Sequence, residues 1–261
     1  MSQVLYEKRN RIATITLNRP DALNALDDRL NEELWSVWAD FAADAAVDVA
    51  IVTGSGKAFC SGADLKTFIP KWEGATMLDV RRNVATGIGG GITRGQHRIV
   101  KPIIAAINGY AIGGGFELAL ACDLRIASER AKFGVFEVRY GLHQGDGGLV
   151  RLVAIAGMAT ALDLTLTGRE ISAEEALRLG LVTRVVPHGE LMSVAEEYAA
   201  MILNNSQQAL RSAKETIQEI VGRSLDEALR LETINAYSSL GDFSEARERL
   251  AAFNAKPGGT K

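Results

Sequence analysis

Three consecutive glycines closely followed by an acidic residue are the most chemically suggestive feature of this chain. Residues 108–122 read NGYAIGGGFELALAC, with Gly113, Gly114 and Gly115 ahead of Glu117. The apolar run at 103–107 is too short for a helix and predicts a buried strand. From Phe116 onward the residues suit a helix, so the triplet marks a strand-to-helix junction. Glycine belongs there if the backbone must take positive φ or press close to another group. The first amides of a helix have no internal acceptor and lie at the positive end of its dipole, so they can receive an oxygen that turns negative during a reaction. That is oxyanion-hole chemistry, and on this reading Glu117 lies beside the polarised oxygen. The same residues also allow plain tight packing, with Glu117 merely stabilising its helix through the dipole. They do not form GxGxxG, and no acidic residue stands at the distance a dinucleotide ribose requires.

A second stretch has similar character. Residues 54–66, GSGKAFCSGADLK, follow the apolar strand at 49–53 and predict another glycine-laced loop entering a helix. Two such junctions could supply the two amides that hold one carbonyl oxygen. AFCSGADLK, NGYAIGGGFELALACDLRIA, KFGVFE and LTGREISAEEALRLGLVTRVV together resemble the crotonase superfamily, the enoyl-CoA hydratase/isomerase family. The likeness runs from NRPDALNAL at 18–26 to the last helices.

The resemblance implies an α/β fold, the crotonase spiral of ββα-like turns that form two sheets wrapped by helices. It implies a core over residues 1–195 with the coenzyme A site and the catalytic site, then a helical region at 196–261 for oligomerisation and active-site cover. It further implies that the amides of Ala63 and Gly114 bind a thioester oxygen and that Glu117 and Glu137 form a catalytic pair. Adding water across a C=C needs one group to take a proton from water and another to give one to Cα, and two carboxyls in different protonation states can do both. Backbone around Ala22 and Leu23, at Ser61, Asp64 and Leu65, and at Gly113 and Gly145 is implied in substrate binding, with Lys66 near the phosphates. No metal or redox cofactor is implied, since coenzyme A enters as part of the substrate. The implied assembly is a homotrimer or a dimer of trimers; Δ3,Δ2-enoyl-CoA isomerisation is the nearest rival reaction, with another crotonase-type reaction on a specialised acyl-CoA or a non-catalytic acyl-CoA-binding scaffold as further alternatives.

The chain departs from the family where hydratases usually read like LGLIPGAGGTQRL. Residues 140–152 here are YGLHQGDGGLVRL, so Gln144 replaces proline, Asp146 replaces alanine, and His143 fills an apolar position. Dienoyl-CoA isomerases carry their catalytic aspartate where this chain has Gly145. Asp146 reads either as the N-cap of the following helix or, with His143 and Gln144, as a polar group shaping an unusual acyl substrate. Residues 87–95, GIGGGITRG, interrupt what the resemblance implies is a more continuous helix, and predict either a flexible or widened lid over the acyl pocket or a surface loop.

The elements that must carry these groups follow from pattern and punctuation. Alternation at 4–7 and 12–17 around a polar turn predicts a hairpin. Asp27 is placed to cap a helix reaching about residue 43, and Ser172 to cap the next AEEALRLG stretch. Helical patterns follow near 190–203, 207–221, 225–240 and 244–253, and residues 256–261 read as a disordered tail. Alternating strands and helices alone would suggest a doubly wound parallel sheet.

Bulk properties exclude several classes. The 261 residues are 47% hydrophobic and 23% charged with net charge −3, so there is ample core and no general basic field for nucleic acid. Cys60 and Cys122 make no disulfide framework and fit a reducing compartment, and small buried filler is their expected role. No signal peptide is evident and no apolar run is expected to reach the ~18 residues of a membrane span, so a cytoplasmic protein is expected.

Overall fold

The computed structural model describes residues 2–241 and 243–255, apart from the side chains of residues 82–84. Strands β1 (Val4–Arg9) and β2 (Ile12–Leu17) form the expected hairpin. Asn10 and Arg11 turn it with φ of 52° and 66°, the positive values a two-residue hairpin turn demands. Helix α1 (Asp28–Ala43) begins where Asp27 accepts from the Leu30 amide. Leu30, Leu34, Trp38 and Phe41 recur at helical spacing and are all buried. At its C-terminus the Lys101 ammonium donates to the carbonyls of Phe41 and Asp44 at 2.7 Å each, a cation placed where the dipole favours one.

The middle of the chain then repeats one device. Strands β3 (Val49–Gly54) and β4 (Ala58–Cys60) are joined by a short turn; so are β5 (Ile103–Ile107) and β6 (Tyr110–Ile112), and later β7 (Leu124–Ser128) and β8 (Lys132–Gly134). The first strand of each pair enters one sheet and the second enters the other. With β9 (Glu170–Ser172) and β10 (Arg184–Val186), the sheets run β1-β2-β3-β5-β7-β10 and β4-β6-β8-β9. This is a spiral of ββα turns, not the doubly wound sheet that alternation alone suggested. Both sheets are mixed, since β1 and β9 pair antiparallel while the inner strands pair parallel. Every residue of β3 and β5 is buried, as expected of parallel strands covered on both faces.

Helix α2 is Met77–Val84, and α3 (Gly114–Ala121) follows β6 directly. Helix α4 (Gly148–Thr167) ends at Gly168 with φ 56°, and α5 (Ala173–Arg178) begins where Ser172 accepts from the Glu175 amide. Phe116 on α3 and Phe133 on β8 meet at 5.4 Å between ring centres within the continuous core.

Three expectations are corrected. No α-helix follows residues 54–66; tight turns lead to a 3-10 turn at Ile69–Trp72, so Lys66 is not a helix residue. Residues 88–93 are buried rather than a surface loop, because their glycines let the backbone nest on Leu34 and Trp35 of α1. Helix α4 is long and apolar enough to cross a membrane by length and composition, which the sequence reading overlooked. Gly157 breaks it, however, with φ 80° and ψ 167°, leaving two arms each shorter than the ~20 residues a span requires.

The chain divides into two compact units, Met1–Ile202 and Leu203–Lys261. Helix α6 (Leu191–Leu203) closes the first. In the second, α7 (Gln207–Ile220) packs on α8 (Leu225–Ser238), Asn235 donating to the Thr216 hydroxyl at 3.0 Å, and α9 (Ser244–Asn254) follows. The tail expected to be disordered lies outside the described residues.

Candidate active site

The glycine triplet serves close approach as well as turning. Gly113 has φ 54° and precedes α3; a Cβ there would lie 3.0 Å from Glu137 Oε1, so glycine admits the carboxyl. A Cβ on Gly115 would stand 2.0 Å from the Cys60 carbonyl, which fixes how closely α3 packs on β4. Positive φ and close approach are therefore both required of the triplet. A Cβ on Gly114 would lie 3.3 Å from the Ala63 amide nitrogen, so the two junctions do converge. Among the described residues, neither the Ala63 nor the Gly114 amide has a hydrogen-bond acceptor.

Glu117 is 3% exposed, one turn into α3. Its Oε1 accepts from the amides of Asp146 and Gly148, at 2.9 Å each. Gly148 opens α4, so Glu117 satisfies one of that helix's orphan amides and sits at its positive end. The cap expected of Asp146 is thus supplied from another helix: α4 has Gly147 at its N-cap position and no side-chain cap. Burial, then the facing charge of Asp146, pushes the Glu117 carboxyl up to about 7, against the pull of the two amides. Glu137 opens a 3-10 turn at Glu137–Tyr140. Burial also raises its carboxyl above the ordinary range, and its Oε2 is buried without a hydrogen-bond partner.

The loop that follows Glu137 holds the three departures. His143 is exposed, with Nδ1 2.7 Å from the Gln144 carbonyl. Gln144 is 4% exposed, and both polar atoms of its side chain are buried without partners. Gly145 is exposed, and its carbonyl accepts from Arg94. Asp146 Oδ1 accepts from the Ile88 amide at 3.0 Å and pairs with Arg94 Nη2 at 3.1 Å.

The remaining candidates also converge. The Ser61 amide donates to the Leu23 carbonyl at 3.0 Å, Leu26 to Gly62 at 2.8 Å and Asp64 to Leu26 at 3.0 Å, which laces Ala22 and Leu23 onto residues 61–64. Leu23, Leu65 and Lys66 are exposed there. The Asp64 carboxylate is already engaged: Oδ1 accepts from the Lys66 and Thr67 amides, and Oδ2 pairs with Arg19, which also reaches Asp27. Arg19 and Asn24, whose amide donates to the Ser55 and Ala58 carbonyls, were missed in sequence, as were Ile88, Arg94 and Arg151. An arginine inside a glycine-rich apolar stretch was the one available signal, for Arg94. Cys60 is fully buried, and burial pushes its thiol up to about 12, which removes it as a nucleophile.

Comparison with known proteins identifies the family. The sequence model of the family described as enoyl-CoA hydratase/isomerase matches residues 7–257. A probable enoyl-CoA hydratase of Rhizobium meliloti is 43% identical over 97% of this chain and 95% of its own length. A short-chain-enoyl-CoA hydratase of Clostridium acetobutylicum is 37% identical over 98% and 96%. The crystal structure of an enoyl-CoA hydratase from Bacillus anthracis superposes with a TM-score of 0.86 at 38% identity, covering 97% of this chain and 96% of that one. With a matching family profile, near full-length relatives and the same spiral, this chain belongs to the enoyl-CoA hydratase/isomerase family of the crotonase superfamily.

Proposed function

We infer that the protein is an enoyl-CoA hydratase, a hydro-lyase that adds water syn across the double bond of a 2-enoyl-CoA thioester to give a 3-hydroxyacyl-CoA. The observation that carries the mechanism is the pairing of two raised carboxyls, Glu117 buried and Glu137 half-buried, with two amides that have no acceptor among the described residues. The thioester oxygen sits between the amides of Ala63 and Gly114, each contributing about 3 kcal/mol as negative charge gathers on that oxygen. With Oε1 of Glu117 held by two amides, Oε2 is left to take a proton from the water that attacks Cβ. A base poised near 7 suits that step at neutral pH. Glu137, favoured in its neutral form by burial, delivers a proton to Cα. The two titrate as a coupled pair, so the apparent values belong to both.

The nucleotide end of the substrate lies along residues 22–23 and 61–66 on this reading, with backbone groups and Lys66 making the contacts, since the Asp64 carboxylate is occupied. Coenzyme A is needed only as part of the substrate. Residues 196–261 build a homotrimer or a dimer of trimers, and the enzyme works in the cytoplasm, where its buried thiols stay reduced.

The test is loss of the conjugated-thioester absorbance when the purified enzyme meets crotonyl-CoA, repeated with Glu117→Gln and Glu137→Gln. Turnover by the native enzyme, reduced roughly a hundredfold or more in each variant, is the expected result. Unchanged turnover in both variants would sink the two-carboxylate mechanism. Double-bond migration of a 3-enoyl-CoA without hydration would identify an isomerase instead.

A further inference from the structure

The loop at 143–148 and the glycine turn at 87–95 lie far apart in the chain, yet one carboxylate joins them. Asp146 Oδ1 accepts from the Ile88 amide at 3.0 Å, lies 3.3 Å from the Thr93 hydroxyl, and pairs with Arg94 Nη2 at 3.1 Å. Arg151 bridges the same two segments a second time, donating to the Asp146 carbonyl at 3.3 Å and to the Thr93 carbonyl at 2.9 Å. Each segment touches a different half of the site. Ile88 Cδ1 lies 2.5 Å from where a Cβ on Gly114 would stand, so its side chain walls the Gly114 amide. The Asp146 amide donates to Glu117 Oε1.

We propose that Asp146 is a positioning residue: its carboxylate locks the glycine turn to the loop that grips Glu117, so one side chain sets both the wall of the oxyanion amide and the place of the base. The carboxylate also acts through space. Glu117 faces the negative charges of Asp146 and Glu137 and the positive charge of Arg151, while Arg94 pairs with Asp146. Removing the Asp146 charge therefore eases ionisation of Glu117.

The catalytic consequence rests on the hydratase reading, and the experiment keeps the two apart. The full chain is compared with Asp146→Asn, which keeps an acceptor for the Ile88 amide and loses the charge, and with Asp146→Ala, which loses both. Hydrogen exchange at residues 88–94 is read together with the Glu117 carbon-13 titration, assigned through Glu117→Gln, and the pH profile of kcat/KM for crotonyl-CoA.

In Asp146→Ala, exchange at 88–94 is expected to speed up about tenfold or more as the tether is lost. In Asp146→Asn it stays near native, while the Glu117 midpoint falls and the acid limb of kcat/KM follows it. Unchanged exchange in Asp146→Ala, or an unmoved Glu117 midpoint in Asp146→Asn, overturns the proposal. If Asp146→Ala does not fold, Asp146→Asn still decides through the Glu117 midpoint. Should the native enzyme leave crotonyl-CoA unchanged, the function reading fails, and the exchange and titration results still judge Asp146.

Discussion

At the scale of single residues the site works by opposing forces on one carboxyl. Burial and Asp146 raise Glu117 toward neutrality, while the amides of Asp146 and Gly148 hold its charged form. The balance has a stability consequence with a definite sign. The folded chain binds the Glu117 proton more tightly than the unfolded chain, moving the carboxyl from an ordinary 4.5 to about 7. Its contribution to stability is therefore fully present below about pH 4.5 and is lost as pH rises through about 7, amounting to roughly 3 kcal/mol. Glu117→Gln keeps an acceptor for both amides and has no charge to bury, so it escapes this loss. Urea unfolding at several pH values checks it: native and variant curves should converge in mild acid and separate toward pH ~8, with the variant the more stable. A gap that closes toward alkaline pH would show that Glu117 is not held above its ordinary value.

At the scale of elements, the glycine turn at 87–95 shows how a sequence that looks loose can fold tightly. Gly90 has φ +68°, and a Cβ there would meet Leu34 backbone at 2.5 Å; Gly74 has φ +77° with nothing within 4 Å. Gly90→Ala should cost about 2–4 kcal/mol, against about 1 kcal/mol for Gly74→Ala, because only the first must push a helix aside. Chemical denaturation of the two variants reads the difference, and equal losses would refute the packing. The sequence could not show this, since a helix face and a turn far along the chain must be superposed before the contact exists. The caps at Asp27 and Ser172 were legible because the capping residue and its amide lie three residues apart. Asp146 misled for the same reason reversed: its position suggested a local cap, but the cap comes from Glu117, 31 residues before Gly148. The two glycine-laced junctions suggested a pair of amides, but that Ala63 and Gly114 are the two came only from the family likeness, because nothing local in either stretch says they meet.

At the scale of the whole molecule, the arrangement of the sheets explains why the site lies where it does. Each turn of the spiral drops one strand into each sheet, so β4 and β6 lie side by side and the loops that leave them, at Ala63 and Gly114, arrive together. The proposed site is thereby assembled from parallel neighbours within one chain, and association with other copies is free to use surfaces elsewhere. Such surfaces are visible in each unit. On α4, Val150, Met158 and Leu166 are 75%, 63% and 75% exposed, and on α8, Leu225, Ile234 and Tyr237 are 72%, 54% and 73% exposed. Large apolar side chains this exposed on two helices make both faces candidate association surfaces. Light scattering on the eluting protein should therefore give a mass above that of one chain, and that of a trimer or hexamer if the assembly proposed above holds. Replacing Val150 and Leu166 together by glutamate should lower that mass while leaving the circular dichroism spectrum of the fold in place, because neither side chain is part of the core. A native protein that elutes as a monomer would mean that these faces are solvated as they stand, and would remove self-association from the account while leaving the site within the single chain intact.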